Sequence, residues 1–234
     1  MTFKEQSKRK AVTFSFDDGV TQDIYFIELM NKYGLKGTFN LNSELLGRKN
    51  ILTCTGPKIA QYRVAAEDVK FVYEGHEVAV HTLDHPNLVD LEDGEIIRQV
   101  EEDRKNLEDL VGYDVVGMAY PSGGVNNNDR VAKVIKENTK MQYARTISSN
   151  WKFDPQDNLY RFSPSVYFVE WGRMFDLAQK FIELETDTPQ IFYIWGHSYE
   201  LDFHPDFRCR LEEFFKLISG HDDIFYGTNR EVLL

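Results

Sequence analysis

Short apolar runs alternate along the whole chain with segments whose apolar positions recur every three or four residues. Residues 11–16 form the first run, and Ile24, Phe26, Ile27, Leu29, Met30 and Tyr33 follow it at the spacing of an amphipathic helix. Further strands are predicted over 36–42, 77–82, 115–120, 143–148, 160–168, 190–195 and 224–226. Helices are predicted over 65–75, 93–112 and 129–138, along the stripe Met174, Leu177, Ala178, Phe181, Ile182, and through Leu211, Phe214, Phe215 and Ile218. In the acidic helix 93–112, Ile97, Val100, Leu107 and Val111 are expected to face inward. Residues 43–64, with Gly47, Gly56 and Pro57, are too long for an ordinary connection and are expected to cross a barrel mouth or edge. This βαβα order predicts an α/β fold with a parallel sheet and covering helices. With no repeat and no low-complexity linker, residues 1–234 are expected to form a single domain.

The first run ends on Asp17-Asp18-Gly19, in "VTFSFDDGVTQD". An Asp-Gly hairpin turn would require a second strand at once, but a helical pattern follows. The paired carboxylates therefore sit at a strand-to-helix junction, where α/β proteins gather ligand and catalytic groups. Other strand ends carry reactive residues too: His81 and His85 in "VAVHTLDHPNL", Tyr120 and Pro121 in "GMAYPSGG", and His197 in "FYIWGHSYELD". The four-residue step from His81 to His85 would suit a helix face, but Pro86 biases His85 towards extended backbone. The glutamate of the HExxH metalloproteases is also missing. Two histidines joined by an aspartate from another strand end make a metal site with open positions. Strand ends from opposite ends of the chain must then meet, which a closed barrel allows and a wide open sheet does not. An irregular, TIM-like (β/α) barrel with seven parallel strands is expected.

The 234 residues carry a net charge of -11 and a sequence pI near 5.0, which removes any electrostatic case for nucleic acid or an anionic membrane. A neutral or cationic substrate fits that balance better. No apolar run approaches the ~20 residues of a membrane span, and the run after Lys8 to Lys10 is too short for a signal-peptide core. A cytoplasmic protein is expected, with Cys54 and Cys209 as reduced thiols.

The strand-end motifs resemble those of the polysaccharide deacetylases, carbohydrate esterase family four, with the NodB homology domain. "SFDDG" is similar to the family's first motif, "HTLDH" to its second and "WGH" to its fifth. The resemblance covers nearly the whole chain and implies a metal-dependent hydrolase that removes acetyl groups from N- or O-acetylated sugars. It implies Asp17 as general base, Asp18, His81 and His85 as ligands of one divalent ion, and His197 as general acid. Zinc is the first expectation for that ion, with cobalt, nickel or manganese as alternatives. Tyr120, Pro121 and Ser122, together with Trp151 and Trp195, are expected around the oxyanion and substrate. In the third motif, however, the arginine and tyrosine of the family are replaced by Ala119 and Ser122, and Arg145 in "YARTIS" is the candidate to orient the base instead. The fourth motif is reduced to Asn150-Trp151, and Trp195 stands where the family has a leucine against the acetyl methyl. Rival readings are an amide hydrolase of small cyclic ureides or imides and a sugar-binding module that has lost activity. Glu200 and Asp202 read as a solvated loop, and His76, His204 and His221 as structural or solvated.

Overall fold

Every residue of the first strand, β1 (Lys10–Asp17), is buried, as expected of a strand covered on both faces. The computed structural model describes residues 2–53 and 57–234, and Cys54 and Gly56 fall outside them. After β1 come α1 (Gln22–Lys32), β2 (Gly37–Leu41), β3 (Lys49–Thr53), β4 (Lys58–Tyr62), α2 (Val69–Val72) and β5 (Glu77–Val80). The chain continues with α3 (Asp93–Val111), β6 (Gly117–Ala119), α4 (Asp129–Asn138), β7 (Tyr143–Arg145), β8 (Val166–Tyr167) and α5 (Trp171–Glu183). It ends with β9 (Gln190–Gly196), α6 (Phe207–Ile218), β10 (Ile224–Tyr226) and α7 (Asn229–Leu233).

Seven parallel strands lie in the order β7-β6-β5-β2-β1-β9-β8, and β10 pairs with the first half of β1. Residues 162–165 run from the free edge of β7 to the side of β9 that β8 pairs: Phe162 bridges Arg145, and the Ser165 N–H donates to the Tyr193 carbonyl at 2.8 Å. The result is the irregular parallel barrel expected from the sequence, with all strand carboxyl ends on one rim.

Alternation along β1 separates two environments. Val12, Phe14 and Phe16 point outward into an aromatic layer, where Phe14 meets Phe215 and Phe16 meets Phe26 and Phe168. Thr13, Ser15 and Asp17 point into a barrel interior with an extensive hydrogen-bond network. Thr13 donates to Asn229, whose amide donates to Tyr193 Oη; Thr38 and Tyr143 both donate to Glu77. Asn229 opens α7, a short helix closed at its start by a Thr228–Glu231 capping box and tied to β1 by the Thr13 hydrogen bond.

Three elements depart from expectation. Residues 43–64 do reach the barrel mouth, where Gln61 and Arg63 line the cleft described below, but they contain an antiparallel hairpin, β3 with β4, that the sequence did not suggest. The predicted helix 65–75 is a 3-10 turn followed by the single turn α2, since Val69, Phe71 and Val72 are poor helix formers and Gly75 is left-handed at φ +82°. The predicted strand 160–168 is a turn, one bridge and the two-residue β8, because Pro164 supplies no N–H to a ladder. In α3 Val100 and Leu107 are buried as expected, but the buried isoleucine is Ile96, with Ile97 only half-buried. Cys209 is a free, exposed thiol. No helix among the described residues is long and apolar enough to cross a membrane.

Candidate active site

Five non-glycine residues among those described have left-handed backbone, and four of them, Asp18 (φ 87°), Thr82 (69°), His85 (70°) and Ser122 (70°), belong to loops at one rim of the barrel. Such conformations cost about 1–3 kcal/mol each and collect where side chains must be aimed at a common point. Here they surround a cleft of about 380 Å³ lined by Asp17, Asp18, His81, His85, Tyr120, Ser122, Trp195 and His197, with Gln61, Arg63 and Tyr199.

Asp17 ends β1 facing the barrel interior and is 2% exposed. Arg145, fully buried, reaches it from β7 across the interior, donating through Nη2 to both carboxylate oxygens. Its Nε donates to Ser15 Oγ at 3.0 Å and its Nη1 to the Thr146 carbonyl at 3.0 Å; Asn40 donates to Asp17 Oδ1 at 2.8 Å. Burial alone would raise the Asp17 pKa, but the Arg145 guanidinium, with His81 and His197 behind it, holds it below the usual carboxylate value.

One donor atom each from Asp18, His81 and His85 lies within 4.8 Å of the others. The backbone carbonyl of Ala119 is 2.9 Å from His81 Nδ1, which directs Nε2 outward as the free donor. Burial pushes the His81 pKa down to about 4, so the ring is neutral and able to ligate at pH 7. Asp103 of α3 accepts from the His81 N–H at 3.1 Å and from the Ser43 N–H at 2.7 Å, fastening the ligand loop to the β2 loop. Gln61 donates to Asp18 Oδ2 at 3.0 Å, while buried Oδ1 has no hydrogen bond; His85 Nε2 is 3.7 Å from it and Arg63 Nη1 3.0 Å. Burial opposes ionisation of Asp18, but Arg63 above all keeps its pKa far below the carboxylate range. The neutral His81 imidazole, the His85 ring and an ionised Asp18 carboxylate whose Oδ1 accepts no hydrogen bond fit a divalent transition metal.

His197 follows β9, two residues from Trp195. Glu200, which the sequence suggested was solvated, is only 5% exposed. It accepts from the His197 N–H at 3.2 Å, places Oε2 3.5 Å from Nδ1 as an ion-pair contact, and accepts from Tyr167 Oη. Burial works against a charge on His197, yet Glu200, and then Asp18 and Asp17, lift its pKa to about 9. A raised pKa makes the imidazolium the form present at neutral pH, and its contribution to stability disappears between about pH 6.5 and 9. Glu200→Gln removes the charge and keeps one acceptor oxygen of the two that Glu200 uses towards Tyr167 and the His197 N–H. The alkaline limb of any His197-dependent activity should therefore fall by roughly 1 to 3 pH units; a limb left in place in the pH–rate profile would separate Glu200 from that titration.

Trp195 is clamped between Arg145, whose guanidinium lies 4.7 Å from the ring centroid, and Tyr167, stacked at 4.6 Å. Its Nε1 donates to Ser149 at 3.2 Å. Asn126 gathers the carbonyls of Tyr120, Pro121 and Ser122 at 3.2, 3.0 and 2.8 Å, which turns the N–H groups of Ser122 and Gly123 away from Asn126. Pro121 is buried behind Tyr120 and Ser122. Trp151 does not line the cleft: it is half exposed, with Arg173 4.2 Å from its ring centroid. Asp202 is partly exposed and pairs with Arg208 at 2.8 Å. His76 bonds the Gly37 N–H, His221 contacts the Leu217 carbonyl, and His204 is exposed.

Sequence reasoning missed Gln61, Arg63, Asp103 and Glu200. Only Glu200 left a signal: an acid three residues after a strand-terminal residue is a capping-box spacing, and Glu200 caps the turn that follows His197.

The fold agrees with the comparisons. The family description "Polysaccharide deacetylase" matches residues 4–143, and the chain belongs to that family. It is 24% identical over 155 residues to the peptidoglycan-N-acetylglucosamine deacetylase PgdA of Listeria monocytogenes, spanning 65% of this chain and 28% of that protein. The family 4 carbohydrate esterase of Streptomyces lividans, solved with acetate, has the same fold at TM-score 0.57 and 14% identity, covering 94% of this chain and 93% of that one. A family-four pseudoenzyme of Bacillus anthracis superposes at TM-score 0.55 and 18% identity, over 98% of this chain and 67% of that one.

Proposed function

We propose that residues 1–234 form one catalytic domain that hydrolyses acetyl groups from N- or O-acetylated saccharides with the help of a divalent metal. The observation that carries this reading is the meeting of the Asp18, His81 and His85 donors within 4.8 Å, in one cleft with an arginine-paired Asp17 and a glutamate-paired His197. Asp18, His81 and His85 would hold the ion, zinc foremost, which when bound acidifies water and polarises an acyl carbonyl. Asp17, ionised at neutral pH, takes the proton of the attacking water. The oxyanion is met by a backbone N–H in the turn at Ser122, a type of donor whose loss costs about 3–4 kcal/mol. His197, protonated at neutral pH, gives its proton to the departing amine nitrogen or alcohol oxygen, so one residue loses and another gains a proton in the same cycle.

The intact set of base, acid and ligand donors disfavours a sugar-binding module, and the histidine pair disfavours a metal-free ureide hydrolase. Metal analysis of protein purified without chelators, followed by acetate release from a panel of acetylated saccharides, tests the reading. Absence of stoichiometric metal, together with failure to bind added zinc or cobalt, would overturn it.

Trp195 is the wall expected to limit the acyl group. Trp195→Leu should raise propionyl or butyryl turnover relative to acetyl by roughly tenfold or more, since one methylene in a pocket is worth about 1–3 kcal/mol of discrimination. The acyl-length ratio is measured beside the melting temperature. Lower stability with an unaltered ratio would mean that Trp195 only packs against Arg145.

A further inference from the structure

A carboxyl group that the reaction does not use lies beneath the loop of the general acid. Asp23, in the first turn of α1, is fully buried, and its oxygens are held by hydroxyls. Ser198 Oγ donates to Oδ1, and Tyr73 Oη donates to Oδ2 at 2.7 Å. Both donors are buried as well. Burial pushes the Asp23 pKa up to about 7 against these two donors, so the group lowers stability wherever it is ionised in the unfolded chain. Packing alone does not call for a carboxyl at this position.

Ser198 follows His197 directly and opens the 3-10 turn Ser198–Phe203. A serine at such a place commonly folds its hydroxyl back onto neighbouring backbone; here the hydroxyl crosses to α1. Gln22, beside Asp23 on the same helix end, reaches the same turn by donating to Asp202 Oδ2 at 2.8 Å. The turn is therefore tied to α1 near both of its ends, and to β8 through Tyr167 and Glu200. Glu200 is the residue this turn presents to the acid. Its Oε2 stands 3.5 Å from His197 Nδ1, which has no hydrogen bond of its own, so the contact is one of charge and depends on where the turn sits.

We propose that Asp23 is a positioning residue for the general acid: by holding Ser198 it fixes the turn that carries Glu200, and through Glu200 it fixes the His197 ring in the cleft. Asp23 does not line that cleft, so its loss acts on the chemical step and not on substrate binding. The kinetic consequence rests on the deacetylase reading, whereas the anchor itself is read on the His197 ring without any substrate.

Ser198→Ala removes the anchor with the least disturbance of the interior. It should lower kcat for acetate release about tenfold, with KM within about twofold of wild type, as part of the roughly 10²–10⁴-fold contribution of a general acid is lost. Nuclear magnetic resonance of the histidine rings, with His197 assigned by its missing signal in His197→Gln, should show that ring titrating about one pH unit lower than in the wild type, towards the ordinary value near 6.5. Asp23→Leu should match Ser198→Ala. Asp23→Asn offers one oxygen to Ser198 and an amide to the Tyr73 oxygen, so it should keep both kcat and the His197 titration near wild type. Tyr73→Phe separates packing from positioning: it removes the other donor, and should lower the melting temperature while leaving kcat and the titration in place. A wild-type His197 titration or an unchanged kcat in folded Ser198→Ala overturns the proposal, as does an equal displacement of the titration in Tyr73→Phe. If Asp23→Leu does not fold, Ser198→Ala and Asp23→Asn decide. The deacetylase reading fails separately, when metal-loaded wild type releases no acetate from any acetylated saccharide, and the His197 titration alone then decides whether the anchor stands.

Discussion

Asp17→Asn is expected to lower acetate release by at least about 10²-fold while metal content stays at the wild-type level. A positioned general base contributes roughly 10²–10⁴-fold. Asparagine preserves the shape of the side chain and cannot take a proton. The metal count should hold because Asp18, not Asp17, faces His85, at 3.7 Å. A complication is built into the interior: the substitution leaves Arg145, fully buried, without its carboxylate. Activity must therefore be compared at a temperature where circular dichroism shows the variant folded, and on its metal-loaded fraction. Equal turnover in wild type and variant under those conditions would remove Asp17 from the mechanism.

The legible parts of this protein are those where chemistry and periodicity disagree. A buried strand does not end on two carboxylates without cause, so Asp17 and Asp18 stood out against the apolar run before them. Arg145 was legible only through the resemblance, as a cation in "YARTIS" that could stand in for the arginine missing from the third motif. What the sequence concealed was burial itself. Glu200 sits in a polar stretch, "SYELD", where nothing local distinguishes an acid aimed at His197 from one in water. The hairpin was concealed because its strands are five residues each and β3 is almost wholly exposed, so neither shows the apolar alternation that marks a half-buried strand. Gln61 and Arg63 therefore looked like loop residues, although the tertiary fold sets them against Asp18. Trp151 failed in the other direction: a motif remnant promised a cleft residue, and the fold turned its ring to Arg173.

Arg145→Met should cost about 3–5 kcal/mol of stability at neutral pH, the usual consequence of stranding one member of a buried ion pair. For a chain of this size that is roughly 6 to 20 °C in melting temperature. The pH dependence distinguishes charge from packing. In the wild type the Asp17 pKa is depressed, so its ionisation stabilises the fold above the ordinary carboxylate pKa, and that stability is lost as the pH falls through the depressed value. Without the guanidinium, burial dominates and the pKa rises. Asp17 then opposes folding wherever it is ionised in the unfolded chain, and ceases to do so once both states are protonated. The stability deficit of the variant should be largest near pH 7 and narrow towards about pH 4, while the acidic limb of the activity profile moves to higher pH. Adding Asp17→Asn removes the remaining charge. The double variant should recover much of the lost stability while staying inactive, because the two residues form one buried unit and their effects are not additive. A deficit that is independent of pH, an unmoved acidic limb and simple additivity in the double variant would together reduce Arg145 to a packing residue beneath Trp195.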